Sequence, residues 1–413
     1  MRVRLQQNLW NGDSPVDISL PEDWNVQIVR MPCDDQPVLS YDQVRERIEN
    51  PLGTEPLSRQ AAGRKRVCIV FDDISRATPS DVISQVVLDI LLEAGVSKEN
   101  IFFLCSPGSH GPHNRRQFAH KLGEKIVSSY PVYNHNCYEN CTYLGKSREG
   151  FDIRVNSQYL SSDLRIGIGG LLPHAMSGFS GGGRLLIPGL CHLDTMEQIH
   201  RMVNDYIARI GDMTVLSGAA SNMMMQECIA EIVEMTGPFF KIDCIYNSTR
   251  GIVDIFAGDV LEEYVKGAVR AEKMYGVPRP VNPSVVIANA NSKPGYATMA
   301  LSLGLSALAE EGGDVVLVNF AVEGQSVHFL RGDFGDAAPS RIPVAAPPDK
   351  RPYGKTIYFS PYGDYNSISN LHIQPDRYVW ARTWEEVMNH LRSHGPGTRA
   401  AVLTDACMMF FRS

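Results

Sequence analysis

The feature that most constrains the fold is a repeated order of apolar strand, polar loop and helix. The β-rich run RVCIVF (66–71) leads into the polar DDISRATPS and then the helical pattern SDVISQVVLDILLEAG, which Gly95 ends. IFFLC (101–105) runs into SPGSHGPHNRRQ, and LRIGIGG (164–170) ends at LLPH. This order is typical of a parallel α/β sheet. Because such sheets bind ligands at the carboxyl ends of their strands, we expect the three loops to converge on one site.

A change in composition near residue 276 indicates a domain boundary. GVPRPVNPS has three prolines in nine residues and predicts a linker, which we place at 274–283. The alternation of strands and helices resumes after it, with VVIANANSKPGYAT, KTIYFS and RAAVLTDA. The chain also exceeds the roughly 250–300 residues that one core serves. We therefore predict two α/β domains with mostly parallel sheets, 1–273 and a smaller 284–413, and an active-site cleft between them.

Charge and composition argue against several classes of protein. There are 46 acidic and 39 basic residues, and the net charge of −7 argues against a broad nucleic-acid-binding face. No apolar run approaches the ~20 residues of a membrane span, and the opening MRVRLQQNLWNGDSP lacks the apolar segment of a signal peptide. The nine cysteines are odd in number and scattered, and cytosolic cysteines are normally reduced. We expect a cytoplasmic protein with a small-molecule substrate and neither nucleic acid nor membrane as partner; the oligomeric state stays open.

The loop DDISRATP combines carboxylates with an arginine directly after a strand. Asp72 or Asp73 can accept hydrogen bonds from ribose hydroxyls, and Arg76 can bind a carboxylate or phosphate through two parallel hydrogen bonds. The structural alternative is that this loop only begins a helix, because the threonine, serine and aspartate that follow all offer N-cap oxygens. The loop alone does not decide between the two.

Two further loops place histidines after strands. In SPGSHGPHNRR, Ser109 and His110 lie in a glycine-containing turn ahead of a helix, where backbone N–H groups can hold an anion; the alternative is a solvated loop histidine. In PHAMSGFSGGGR, His174 precedes a glycine run that Arg184 closes. Such glycines let a backbone approach a ligand closely, and the apolar flanks argue against a flexible surface turn.

One more histidine, His200, lies sixteen residues past Arg184 in the helical pattern DTMEQIHRMVNDYIARI. Neutral imidazole suits zinc, copper, iron and nickel, but this spacing identifies none of them. The chain contains no G-x-S-x-G elbow, Walker A or H-E-x-x-H motif. GIGGLL also fails the dinucleotide fingerprint at its last glycine.

Together these loops resemble one family, the nickel-pincer-nucleotide-dependent lactate racemases with their 2-hydroxyacid racemase and epimerase relatives. The matching pieces are DISRATP, SPGSH, PH followed by GFSGG, IPG and the later His200, in the family's order over about 130 residues. The resemblance implies a nickel pyridinium-3,5-bisthiocarboxylic acid mononucleotide as cofactor. It also implies that a hydride leaves C2 of a 2-hydroxyacid and returns to either face.

The resemblance assigns a role to each candidate residue. His110 and His174 would be the two bases, one for each enantiomer, because the hydroxyl proton must leave with the hydride and histidine suits that transfer near neutral pH. His200 would be the nickel ligand, and the second domain would close over the substrate. The residues assigned to the cofactor are Asp72, Asp73, Arg76, Ser109, Gly181, Gly182 and Arg184. Those assigned to the substrate are Arg76, Lys293 and Tyr296.

Arg184 is the departure from the family. The type member has a lysine here, which forms a thioamide with the cofactor, whereas a guanidinium stays protonated and is a poor nucleophile. We therefore expect a non-covalent cofactor whose acidic group pairs with Arg184. Use of another nucleotide or metal, and a non-catalytic paralogue that binds a small anion, stay open. So does a metal-assisted enzyme of another class on the same fold. The sequence does not identify which 2-hydroxyacid is the substrate.

Overall fold

The computed structural model describes residues 1–7, 14–174, 177–210, 218, 223–330, 341–342, 353–363 and 377–412. The chain divides into two compact units. Unit 1 comprises three segments, Met1–Asp35, Met274–Ser326 and Val344–Ser413. Unit 2 comprises Gln36–Lys273 and Val327–Pro343. Within the described ranges, no helix is long and apolar enough to cross a membrane.

The strands are short and most belong to two sheets. In chain order they are β1 Arg2–Leu5, β2 Val16–Ser19, β3 Asn25–Val29, β4 Val67–Asp72, β5 Ile101–Ser106, β6 Val132–Asn134, β7 Cys141–Lys146, β8 Asp152–Asn156, β9 Leu164–Gly170, β10 Pro173–His174, β11 Gly178–Phe179, β12 Phe240–Tyr246, β13 Ile252–Asp259, β14 Gly276–Val277, β15 Val285–Asn289, β16 Asp314–Val318, β17 Thr356–Phe359, β18 Tyr378–Ala381, β19 Arg399–Leu403 and β20 Phe410–Phe411.

The α-helices range from single turns to long amphipathic helices. They are α1 Tyr41–Glu49, α2 Leu57–Ala61, α3 Ser80–Glu93, α4 Arg115–Leu122, α5 Glu124–Val127, α6 Ser157–Leu160, α7 Leu193–Ile210, α8 Met223–Thr236, α9 Val260–Tyr275, α10 Thr298–Ala307 and α11 Trp384–His390.

Unit 2 is built on a six-stranded sheet in the order β13-β12-β9-β4-β5-β6. All neighbours in it are parallel except β13, which pairs antiparallel with β12. Every residue of β4 and β5 is buried, as is typical of parallel strands covered on both faces. The three strands predicted around residues 67, 101 and 164 are therefore confirmed, and they are neighbours in the order β9-β4-β5.

Hydrogen bonds join the loops that follow these central strands. The Ser106 hydroxyl at the end of β5 donates to the carbonyl of Leu185, 2.6 Å away, in the glycine-rich loop after β9. The Gly108 N–H donates to the carbonyl of Gly189 at 3.1 Å. The predicted convergence of these two loops at one sheet edge is therefore confirmed.

Unit 1 is built on an all-parallel sheet in the order β18-β17-β16-β15-β19-β3. With unit 2 this confirms the predicted α/β class with mostly parallel sheets. The division of the chain differs from the predicted domain 1–273, because β3 pairs with β19 and places Met1–Asp35 in unit 1. The predicted linker 274–283 also begins inside unit 1, where β14 pairs with β20.

Candidate active site

Asp73 and His110 form a hydrogen-bonded pair in the loops that follow β4 and β5. His110 contacts Asp73 Oδ2 through its Nδ1. Asp73 is 1% exposed, and its Oδ1 accepts from Ser75 Oγ at 2.5 Å and from Arg76 Nη1 at 3.2 Å. Burial alone would raise the pKa of Asp73, but His110 and Arg76 outweigh it and hold that pKa well below its usual range. An ionised Asp73 accepts the Nδ1–H of His110, so the neutral ring keeps its basic lone pair on Nε2.

Asp72 ties the first loop to helix α4. Its Oδ2 accepts from Thr78 Oγ1 at 2.5 Å, and its Oδ1 lies 2.6 Å from Lys121 Nζ, with both partners of this ion pair buried. Lys121 also donates to the Arg76 carbonyl at 2.7 Å. Both carboxylates assigned to the ribose therefore have protein partners in this structure. No sequence signal singled out Lys121, which lies within an ordinary helical pattern.

Arg184 places a half-buried cation beside His174. Its Nη2 lies 3.4 Å from His174 Nε2, and because a guanidinium only donates, His174 accepts through Nε2. Its Nη1 is buried and has no hydrogen-bond partner among the described residues. Burial first, and then the nearby cation of Arg76, lower the pKa of Arg184 to about 10. The site thus holds two neighbouring guanidinium groups, one of them with an unsatisfied donor.

The glycine run packs against protein. Gly181 and Gly182 have positive φ angles of 92° and 52°. A Cβ on Gly181 would lie 2.5 Å from Asp243 Oδ2, and one on Gly182 would lie 2.7 Å from a ring carbon of Tyr264. The expected close approach to a ligand therefore has another explanation here, since these glycines let the loop fit onto β12 and α9. Their assignment to the cofactor stays a prediction.

A fully buried charged cluster supports this glycine run. Asp243 accepts the Gly182 N–H and pairs with Lys241 on the same strand. Glu263 is also fully buried, and burial together with the neighbouring Asp243 raises its pKa well above the ordinary value. Sequence reasoning missed this cluster, although FKIDCIY carries its signal: two charges at alternate positions of an apolar strand.

His200 lies in α7 and is 6% exposed. Its Nδ1 donates to the Met196 carbonyl at 2.7 Å, so the neutral ring carries its lone pair on Nε2, the form in which histidine binds metals. In the part of the chain that the structure describes, no group of three or more His, Cys, Asp or Glu residues could hold a metal ion. The assignment of His200 as the nickel ligand stays a prediction.

His328, which sequence reasoning did not single out, joins these histidines. Its ring contacts those of His110 and His200 edge to face, with centroids 5.6 and 6.2 Å apart. Its Nε2 lies 3.1 Å from Ser109 Oγ, and the assignment of Ser109 to the cofactor stays a prediction. Lys293 and Tyr296 lie in unit 1, after β15, and their role toward the substrate stays a prediction.

Comparisons with known proteins agree with this fold. The model of the lactate racemase N-terminal domain matches residues 11–211. A lactate racemase from Thermoanaerobacterium thermosaccharolyticum is 25% identical over 262 residues, which are 62% of this chain and 60% of that protein, less than two thirds of its length. A lactate racemase from Lactiplantibacillus plantarum is 23% identical over 391 residues, 88% of this chain and 89% of that protein.

Two solved structures share the fold. The lactate racemase apoprotein from T. thermosaccharolyticum has a TM-score of 0.74 at 18% identity, with both chains fully covered. A protein from Thermotoga maritima has a TM-score of 0.67 at 14% identity, covering 91% of this chain and all of that one. Its matched N-terminal domain, its relatives and its fold make this chain similar to the lactate racemases.

Proposed function

We propose that this protein is a 2-hydroxyacid racemase or epimerase that uses a non-covalently bound nickel-pincer nucleotide. The observation that carries the proposal is the Asp73–His110 pair, a histidine base oriented by a buried carboxylate at the carboxyl end of a parallel sheet. A second imidazole, His174, follows β9, the other neighbour of β4 in the same sheet. Isomerisation at C2 needs a proton acceptor for each enantiomer, and these two histidines meet that need.

The two histidines do not have equivalent surroundings. His110 would take the proton of the C2 hydroxyl at Nε2, and Asp73 would stabilise the imidazolium that forms. His174 would serve the other enantiomer, and the guanidinium of Arg184 lies beside its Nε2. The hydrogen bond from Arg184 to His174 is long at 3.4 Å, so replacing it with a hydrogen bond from a substrate hydroxyl costs little free energy.

The residues present fit an anionic cofactor. Burying a guanidinium is costly unless a counter-charge and hydrogen-bond acceptors satisfy it, and Arg184 has a buried Nη1 without a partner among the described residues. A phosphate or acidic ring substituent would satisfy that donor and offset the repulsion from Arg76. When bound, the nucleotide supplies an acceptor for the C2 hydride. His200 would contribute a nickel ligand, and Arg76, with Lys293 and Tyr296, would bind the substrate carboxylate.

The test is isomerisation in D₂O. Protein made in a host that builds the nucleotide would be incubated with single enantiomers of aliphatic, aromatic and sugar-derived 2-hydroxyacids. Chiral chromatography would measure isomerisation and mass spectrometry the deuterium at C2. We expect isomerisation without deuterium at C2, because the hydride that leaves is the one that returns.

Two variants complete this test. His110→Asn should abolish isomerisation, whereas His390→Asn, which changes a histidine of helix α11 in unit 1, should not. Deuterium at C2 would contradict the mechanism, because it would show that a proton is removed there. If the protein with nickel and nucleotide bound isomerises none of these acids, that result would contradict the proposed activity itself.

A further inference from the structure

His328 reaches unit 2 on a well-anchored segment. Val327–Pro343 lies between β16 and β17 in the sequence, yet it belongs to unit 2. The Phe329 N–H donates to the Ser109 carbonyl at 2.8 Å, and the Ile342 N–H donates to the Leu330 carbonyl at 3.0 Å. Leu330 and Ile342 are buried in the hydrophobic core of unit 2. The backbone that follows His328 is therefore held in place.

The hydrogen bonds of His328 define its tautomer. The Leu330 N–H donates to Nδ1 at 3.3 Å, so Nδ1 carries a lone pair. Nε2 of the neutral ring then carries the proton and donates to Ser109 Oγ at 3.1 Å. These two hydrogen bonds hold the ring of His328 in a single orientation.

The ring of His328 packs on two functional candidates at once. Its interplanar angles are 71° to His110 and 84° to His200, the edge-to-face geometry that aromatic rings prefer. Hydrogen bonds fix one edge of each partner ring, through Asp73 for His110 and the Met196 carbonyl for His200. His328 adds a packing contact to each of these rings.

We propose that His328 is a positioning residue that holds His110 and His200 in their working orientations. The role rests on the proposed function, in which His110 is a base and His200 a nickel ligand. A displacement of about 1 Å costs roughly 100-fold in rate, and loss of a group that orients a metal ligand costs about 10- to 100-fold in affinity or activity. Removing the ring should therefore impair catalysis although His328 itself transfers no proton.

The experiment uses the full chain and two independent readouts. The first is NMR of ¹⁵N-labelled imidazole in cofactor-free protein, which reports each histidine's tautomer without requiring activity. The second is kcat and KM of the loaded protein for both enantiomers. His328→Ala removes the ring and both hydrogen bonds, His328→Phe keeps only ring packing, and His328→Gln keeps only a donor toward Ser109. Phe329→Ala is the matched control, because it loosens the same segment and leaves the imidazoles unchanged.

We expect the wild-type spectra to show Nε2–H for His328 and Nδ1–H for His200. In His328→Ala the signals of His110 or His200 should change and kcat should fall about 10- to 100-fold, with KM changing less. His328→Phe should recover part of the kcat and Phe329→Ala should keep the imidazole signals. Unchanged signals of both histidines in His328→Ala would overturn the proposal, as would equal kcat losses in Phe329→Ala and His328→Ala. If the wild type isomerises nothing, the proposed function fails, and the spectra still decide whether His328 orients its neighbours.

Discussion

Replacing Arg184 with methionine should stabilise the cofactor-free protein. Burial and Arg76 lower the pKa of Arg184 to about 10, so folding acts against its charge. Because one pKa unit is worth about 1.4 kcal/mol, lowering this pKa from 12.5 to about 10 corresponds to a penalty of roughly 3 kcal/mol. Arg184 is protonated in both folded and unfolded chains at pH 7, and its folded pKa is the lower one. The penalty therefore acts fully below about pH 10 and fades as pH rises further.

The measurement is urea unfolding of the cofactor-free wild type and Arg184→Met at pH 7, monitored by circular dichroism. Arg184→Met should shift the midpoint upward, because methionine fills similar space without a charge. Phosphate should stabilise the wild type, by about 2.7 kcal/mol at 100 times its Kd, and should stabilise the variant much less.

Arg165 offers a matched control within unit 2. Its guanidinium donates to the carbonyls of Ser162 and Leu160 at 3.3 and 2.7 Å and to that of Thr236, so its donors are used. Arg165→Met should therefore lower stability by about 1–3 kcal/mol, the opposite sign for the same substitution. A less stable Arg184→Met, or an equal phosphate effect in it and the wild type, would refute the reasoning about an unsatisfied half-buried cation.

Four further substitutions in the same unit carry predictions. Asp73→Asn should lower kcat about 100- to 10,000-fold in the chiral assay, because an amide does not hold His110 as the ionised carboxylate does. Because the pKa of Asp73 is lowered in the folded protein, the wild type should be more stable than Asp73→Asn above about pH 4, and this difference should shrink as pH falls below that value. Because burial raises the pKa of Glu263 above its ordinary value, wild-type stability should fall as pH rises above about 4.5, and Glu263→Gln should gain on the wild type in urea as pH rises above that value. Lys241→Met should lose about 3–5 kcal/mol, because it leaves a buried carboxylate unpaired. Gly182→Ala should cost about 1–3 kcal/mol more than Gly63→Ala in the same assay, because φ is positive at both but an added Cβ would meet a neighbour only at Gly182.

The sequence was informative where the signal is local. Continuous apolar, β-rich runs predicted β4, β5 and β9, and the polar loops after them contain the Asp73–His110 pair and Arg184. It was less informative for distant pairings: β3 joins β19 from the opposite end of the chain, so the division into units could not be predicted from the proline-rich stretch.

The candidate site shows the same limit. The glycine run indicated that something approaches the backbone closely, but a missing Cβ does not say whether a ligand or Asp243 does so. His328 belongs to unit 2 but follows β16, a strand of unit 1, in the sequence, and only folding brings it to His110. Position along the chain could not indicate that contact.

The central claim, a nickel nucleotide held without a covalent bond beside Arg184, is tested most directly by paired native and denaturing mass spectrometry with metal analysis. The protein would be made in a host that builds the nucleotide. We predict that native spectra show one nucleotide and one nickel per chain, that denaturation releases both, and that Arg184→Met retains less of either. An added mass that survives denaturation, or protein without nickel or nucleotide, would contradict the account.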